Sequence, residues 1–212
     1  METNTTSTQH WNKVYESKEE NQLGWYQSEA KESMELIASS HPQKEAEIID
    51  IGTGLSPLIK NLYDAGFQHI IATDISEQAL QKHREKLGAA ISQKITWITD
   101  DITQSVLPEK KIQADIWHDR AVFHFLTKEE DRNAYMKTMN AVLKKGGYAI
   151  IGAFSQQGAK KCSNLDIVNY DADDIAYILG DSFQLIHYRY VLHHTPSGAE
   201  RPFTYTIFQK TG

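Results

Sequence analysis

Apolar positions along this chain alternate between two spacings. Short dense runs such as Ile48, Ile49 and Ile51, the segment His69–Thr73, Lys94–Thr99 and Tyr148–Phe154 read as buried strands. Between them, apolar residues recur every three or four positions, the signature of helices with one buried face. This spacing predicts helices over Gln9–Lys18 (Trp11, Val14, Tyr15), Ser28–Ser40 (Met34, Leu36, Ile37), about Leu55–Gly66, Glu77–Leu87, Glu129–Lys144 and Asp171–Leu179. Ala114–Leu126 reads as a fourth strand followed by a helix, and Phe183–Leu192 with Phe203–Lys210 as two antiparallel strands. Strands alternating with helices and a closing hairpin predict an α/β fold. Its doubly wound sheet has seven strands, mostly parallel with one antiparallel, helices on both faces, and a ligand at the carboxyl ends of the strands.

Pro42 marks the boundary between an N-terminal helical segment, residues 1–44, and a single main domain over 45–212. At 212 residues the chain suits one substantial core. Residues 1–8, rich in Thr, Ser and Asn, read as disordered. No apolar run reaches membrane-span length, and the polar start METNTTSTQH does not resemble a secretory signal, so the expected location is the cytoplasm. A single cysteine, Cys162, excludes an internal disulfide and fits a reducing compartment. A net charge of −6 without a basic block argues against a nucleic-acid partner, and without an apolar span no membrane partner is expected. The expected oligomeric state is a monomer or weak dimer. His118, His124, His187, His193 and His194 lack metal-ligand spacing, so no metal is expected.

The first strand runs straight into Asp50-Ile51-Gly52-Thr53-Gly54-Leu55-Ser56, after which a helix is predicted. Glycines at such a turn let a ligand approach the main chain, and the helix beyond offers free N–H groups. Pro57 occupies the third glycine position of a dinucleotide fingerprint, which counts against a nicotinamide or flavin site. The acid two residues before the first glycine resembles motif I of the class I S-adenosylmethionine (SAM) methyltransferases, with Ser56 in place of the last glycine. L-K-K-G-G-Y-A-I-I, ending at Ile151, resembles the helix–turn–strand signature that follows the SAM-binding half of that family. The resemblance covers residues 45–155 by motif and nearly the whole chain by element order. It implies a Rossmann-like domain with SAM as cofactor, Asp50, Gly52, Gly54 and Ser56 lying against it.

Downstream residues extend the site. Asp74 stands 20 residues after Gly54 at the end of the second strand, with Ile75 beside it. There it is placed to accept from both ribose hydroxyls of an adenine nucleoside or to cap the next helix. In the resemblance the pair Asp101 and Ile102 holds the adenine amino group and packs on the ring; with Asp100 adjacent, either acid can fill the role. Trp25, in G-W-Y-Q, joins the N-terminal aromatics as part of a lid or as a plain cover for the sheet end. His118, Asp119 and Arg120 form three ionisable groups in a row at a strand end, expensive to bury without partners. They are the catalytic candidates: His118 as a general base, Asp119 facing the sulfonium, Arg120 binding a carboxylate. The alternative is a structural Asp119–Arg120 pair. His124, between Phe123 and Phe125, reads as a buried core histidine.

The expected activity is methyl transfer from SAM to a nucleophile of a small-molecule acceptor. W-x-x-x-Y, G-W-Y-Q and the Asp119-Arg120 pair also look similar to seven-strand protein lysine methyltransferases, although Ala121 and Val122 replace their glycine and threonine. A SAM-binding sensor without turnover is a third reading. The polar cluster at residues 118–120 counts against it.

Overall fold

The computed structural model describes residues 7–212, so most of the segment expected to be disordered lies outside the described residues. Helix α1 spans Ser7–Ser17, two residues earlier than its apolar spacing suggests, and buries Val14 and Tyr15. The remaining helices are α2 (Lys31–Ser39), α3 (Leu58–Asp64), α4 (Glu77–Leu87), the one-turn α5 (Ala89–Ser92), α6 (Glu129–Val142) and α7 (Ala172–Leu179). The main strands are β1 (Glu47–Ile51), β2 (His69–Asp74), β3 (Ile95–Thr99), β4 (Ala114–Arg120) and β5 (Leu143–Phe154). A two-strand ribbon, β6 (Lys161–Cys162) and β7 (Leu165–Asp166), precedes the closing hairpin of β8 (Phe183–His194) and β9 (Glu200–Lys210).

Seven strands form one sheet in the order β3-β2-β1-β4-β5-β9-β8. Pairing is parallel from β3 to β5. Only β9 runs antiparallel to both its neighbours, as the hairpin pattern predicts. Strand order reverses between β1 and β4, which opens a crevice at their carboxyl ends. Two apolar layers cover the sheet. One joins Ile49, Ile51 and Trp117 to Tyr135 and Met139 of α6; the other joins Ile48, Ile116 and Ile150 to Leu36 and Ile37 of α2 and Leu58 of α3. Helix α2 is thus built into the core of the main domain.

Several elements depart from the sequence reading. Strand β4 continues through Arg120 and gives way to a 3-10 turn at Phe123–Phe125, where a full helix was expected. Its last residues are held by the β5 ladder, with Asp119 opposite Ile151 and Arg120 opposite Gly152. Helix α6 stops at Val142 because buried Leu143 pairs with Ala114 at the start of β5. The expected 156–170 loop carries the small ribbon, whose turn residues Ser163 and Asn164 both adopt positive φ, the signature of a two-residue hairpin turn. No helix of the described residues is long and apolar enough to cross a membrane.

Candidate active site

The glycine turn is held in shape from two sides. The N–H of Thr53 donates to the Thr73 carbonyl and that of Gly54 to Asp74 Oδ2, both at 2.8 Å. On the helix side, His83 Nδ1 lies 2.8 Å from the Gly54 carbonyl oxygen; burial pushes this imidazole down to about 4, so it sits there neutral and donates. Gly52 and Gly54 have φ of +62° and +49°. A Cβ on Gly52 would strike Val122, and one on Gly54 would strike the Tyr15 hydroxyl. Tyr15 of the N-terminal helix therefore rests directly on the turn.

Beside the turn a cavity of about 960 Å³, counting its open mouth, runs along the strand ends. Its lining includes the polar and aliphatic residues Gly52, Asp74, Ile75, Asp101 and Ile102 together with Trp11, Trp25, Arg120, Phe125 and Cys162. A smaller adjoining cavity is lined by Trp25, Gln27, Asp50, Gly52, Ser56, His118 and Arg120. Trp25, Gly52 and Arg120 line both.

Asp74 is buried, and that burial pushes its carboxyl up to about 6 despite hydrogen bonds from the N–H groups of Ser76 and Gly54. Asp100 and Asp101 differ in what their oxygens do. Both Asp100 oxygens are held within their own loop, by the N–H of Val106 and the hydroxyl of Ser105. Asp101 uses Oδ1 alone, accepting from the N–H and hydroxyl of Thr103. Ser56 lines the smaller cavity, where its Oγ accepts from the N–H of Leu58 at 3.2 Å.

Alternation along β4 separates the three candidate catalytic residues. His118 and Arg120 share the face of Asp50; Asp119 points to the opposite one. The Asp119 side chain is fully buried among the α6 layer, accepts from the N–H groups of Val122 and Phe123, and lines neither cavity. It shapes the turn after β4 and does not pair with Arg120. His118, directly opposite Asp50 in the β1–β4 register, has Nδ1 2.6 Å from Asp50 Oδ1 and Nε2 2.8 Å from the Ser33 hydroxyl. With both ring nitrogens engaged, it is not placed to take a proton from an acceptor. Arg120 donates from Nε to the Tyr205 hydroxyl and from Nη1 to the Trp25 carbonyl, at 2.8 and 3.0 Å, and its guanidinium lies over Phe203. On the face shared by His118 and Arg120, Asp50 Oδ2 and Arg120 Nη2 have no partner among the described residues, as is also true of Thr53 Oγ1 in the turn and of Asp119 Oδ2 on the opposite face.

The N-terminal aromatics close over the larger cavity. Trp11 makes edge contacts with Trp25 and Phe125, at centroid distances of 5.6 and 5.0 Å. Helix α1 is tied to α4 by Ser76 donating to Asn12 Oδ1 and Lys82 donating to the Tyr15 carbonyl. Across the mouth, His10 reaches Ser163 of the ribbon at 3.4 Å. Cys162 is half-buried beside it, and desolvation pushes its thiol up to about 11, which makes it a weak nucleophile. His124 is buried among Phe125, Phe154 and Phe203, neutral because burial lowers it to about 3.

A family model described as a methyltransferase domain matches residues 49–149, from the middle of β1 into β5, and so includes the glycine turn and the β4 end. These residues carry a methyltransferase domain, and the fold around them is that of SAM-dependent methyltransferases of known structure. Among curated proteins it is similar to the eEF1A lysine and N-terminal methyltransferase of Bos taurus, 26% identical over 149 residues, 66% of this chain and 20% of that protein. The chain thus spans about a fifth of the length of the curated relatives it matches. Its fold is shared by solved structures. A SAM-dependent methyltransferase from Anabaena variabilis has a TM-score of 0.73 at 17% identity, covering 96% of this chain and 93% of that one. The 1,6-didemethyltoxoflavin-N1-methyltransferase of Burkholderia thailandensis, with bound 1,6-didemethyltoxoflavin and S-adenosylhomocysteine, has a TM-score of 0.70 at 15% identity and covers 97% and 84%.

Sequence reasoning missed two residues that hold His118 and Arg120 from behind the cavities, Ser33 and Tyr205, and one that lines the larger cavity, Ala121. Ser33 gave no signal, being one serine among several in a helix. Tyr205 was legible only as an inward position of the last strand. Ala121, with φ +70°, carries a left-handed backbone just after β4 and lines the larger cavity.

Proposed function

We propose that this methyltransferase transfers the methyl group of SAM to a nucleophile of a small-molecule acceptor enclosed under the N-terminal aromatic lid. The observation that carries the reading is the lid. Trp11 wedged between Trp25 and Phe125, with His10 reaching Ser163, narrows the mouth to a pocket suited to a small molecule rather than to a folded protein surface.

The residues present fit the cofactor. Asp50 Oδ2 and Arg120 Nη2, partnerless among the described residues and belonging to residues on one small cavity, match the ammonium and carboxylate of an amino-acid end. Asp74 would serve the ribose. Asp101, with Oδ2 uncommitted where Asp100 has both oxygens engaged, would serve the adenine amino group between Ile75 and Ile102. When bound, SAM supplies a methyl group already activated by its sulfonium. The chain's own residues then orient the acceptor and exclude water, the main demand of such a transfer. Trp11, Trp25 and Phe125 form the walls, and Arg120 anchors the boundary between the cavities.

A second reading is a protein lysine acceptor, the kind named for the curated relatives. It is favoured by aromatic walls together with Asp131 lining the same cavity, a combination that suits an alkylammonium group. Calorimetric titration with SAM, S-adenosylhomocysteine and NAD, followed by turnover assays on thiol, amine and carboxylate small molecules and on lysine peptides, separates the readings. The expected result is binding of the two SAM-series ligands, weakened about 10- to 100-fold by Asp74→Ala through loss of charged hydrogen bonds, and turnover on small acceptors alone. Binding of NAD alone removes the cofactor assignment. Methylation confined to lysine peptides replaces the acceptor, and cofactor binding without turnover on any acceptor leaves the sensor.

A further inference from the structure

One buried cluster lies outside the transfer chemistry. Ser33 on α2, His118 on β4 and Asp50 on β1 form a continuous hydrogen-bonded line through the core, each no more than 2% exposed. Because a carboxylate only accepts, His118 Nδ1 must carry the proton it shares with Asp50 Oδ1. The Ser33 hydroxyl can then donate to Nε2, and a neutral ring satisfies both contacts. The order serine–histidine–aspartate invites comparison with a nucleophilic triad. Here, however, the serine is 1% exposed and lines neither cavity, so no substrate reaches it. The open end of the line is Asp50, whose Oδ2 has no partner among the described residues while its residue lines the smaller cavity.

An unpartnered buried carboxylate oxygen is unfavourable unless a ligand supplies a donor. A carboxylate also turns freely about its last bond unless its other oxygen is held. We infer that Ser33 and His118 are positioning residues that lock Asp50 so that Oδ2 receives the ammonium of the cofactor's amino-acid end. The inference rests on the proposed SAM site. It assigns His118 a role in selecting nucleosides that carry an amino acid over those that do not, and it makes α2, which supplies Ser33, part of that selection. Arg120 shares the cavity but no bond with the line, so the two ends of the zwitterion are set independently.

The test compares two probes, S-adenosylhomocysteine and methylthioadenosine, which carries the same nucleoside without the amino-acid end. Both are titrated calorimetrically into the full chain and into Ser33→Ala, His118→Ala and His118→Asn. Losing the orienting contact should weaken S-adenosylhomocysteine about 10-fold or more in His118→Ala, the size expected for a misplaced charged hydrogen bond. Methylthioadenosine should change less than about 2-fold, since none of its contacts involve Asp50. His118→Asn, whose amide can still donate to Asp50, should recover most of the affinity, and Ser33→Ala should show a smaller loss on the same ligand only. Equal weakening of both probes in the variants makes the line merely structural and overturns the inference, as does unchanged binding of S-adenosylhomocysteine. If His118→Ala does not fold, Ser33→Ala and His118→Asn decide by the same ratio. Failure of the unmodified chain to bind either probe instead removes the cofactor site itself.

Discussion

Asp119 illustrates how a single buried carboxyl acts on stability. Desolvation raises it from an ordinary value of 3.8 to about 6, against hydrogen bonds from the Val122 and Phe123 N–H groups that favour the charged form. Between pH 4 and 6 the folded chain holds a proton that the unfolded chain has released. Unfolding then releases a proton, so stability falls as pH rises through this window and levels off above it. The penalty for carrying the charge is on the order of 3 kcal/mol above pH 6. Asp119→Asn keeps the carbonyl that caps the turn and removes the titration. The variant should match the parent near pH 4 and exceed its stability at pH 7.5, by urea unfolding at both values. Asp74 carries a shift of the same direction and cause, so part of the pH slope remains in the variant. An unaltered slope would mean that Asp119 is ionised without penalty.

Among the elements, the N-terminal helix and the glycine turn behave as one unit. Tyr15 occupies the space above Gly54 that any other residue's Cβ would need, and the positive φ there already disfavours a side chain. Gly54→Ala should therefore destabilise the chain by about 2 kcal/mol, about half from the backbone and half from displacing Tyr15. Tyr15→Phe removes the clashing hydroxyl, so the double variant should lose less than the two single losses combined, measured as a coupling energy by chemical denaturation. Strict additivity would show that helix and turn do not touch in solution. This contact marks where sequence reading stops. The apolar spacing of Trp11, Val14 and Tyr15 gives a helix, and D-I-G-T-G gives a turn, yet nothing local says that one lands on the other. Element order and the antiparallel end were legible because period-two and period-3.6 patterns are local. The length of β4 was not, since the β5 ladder fixes it across the sheet. For the same reason the run His118-Asp119-Arg120 looked like one site, although alternation along a strand must divide it between two faces.

At the scale of the whole molecule, the closing hairpin completes the site built by the parallel strands. Tyr205 of β9 stands opposite Gly152 of β5, which in turn pairs with Arg120 of β4. A Cβ on Gly152 would come within 2.9 Å of the tyrosine ring, so glycine lets that ring lie flat across β5 and its hydroxyl accept from Arg120 Nε. Arg120 is thereby fixed from three sides: Tyr205, the ring of Phe203, and the Trp25 carbonyl from the lid. Tyr205→Phe should cost about 1–3 kcal/mol, because it leaves a largely buried guanidinium donor without its acceptor. For a chain of this size that corresponds to a fall in Tm of several degrees. The same change should weaken S-adenosylhomocysteine binding, read by calorimetry, since Arg120 would lose the contact that aims it between the two cavities. A lower Tm with unchanged affinity would mean that the lid carbonyl and Phe203 alone hold the arginine, and that the hairpin serves the sheet without reaching the site.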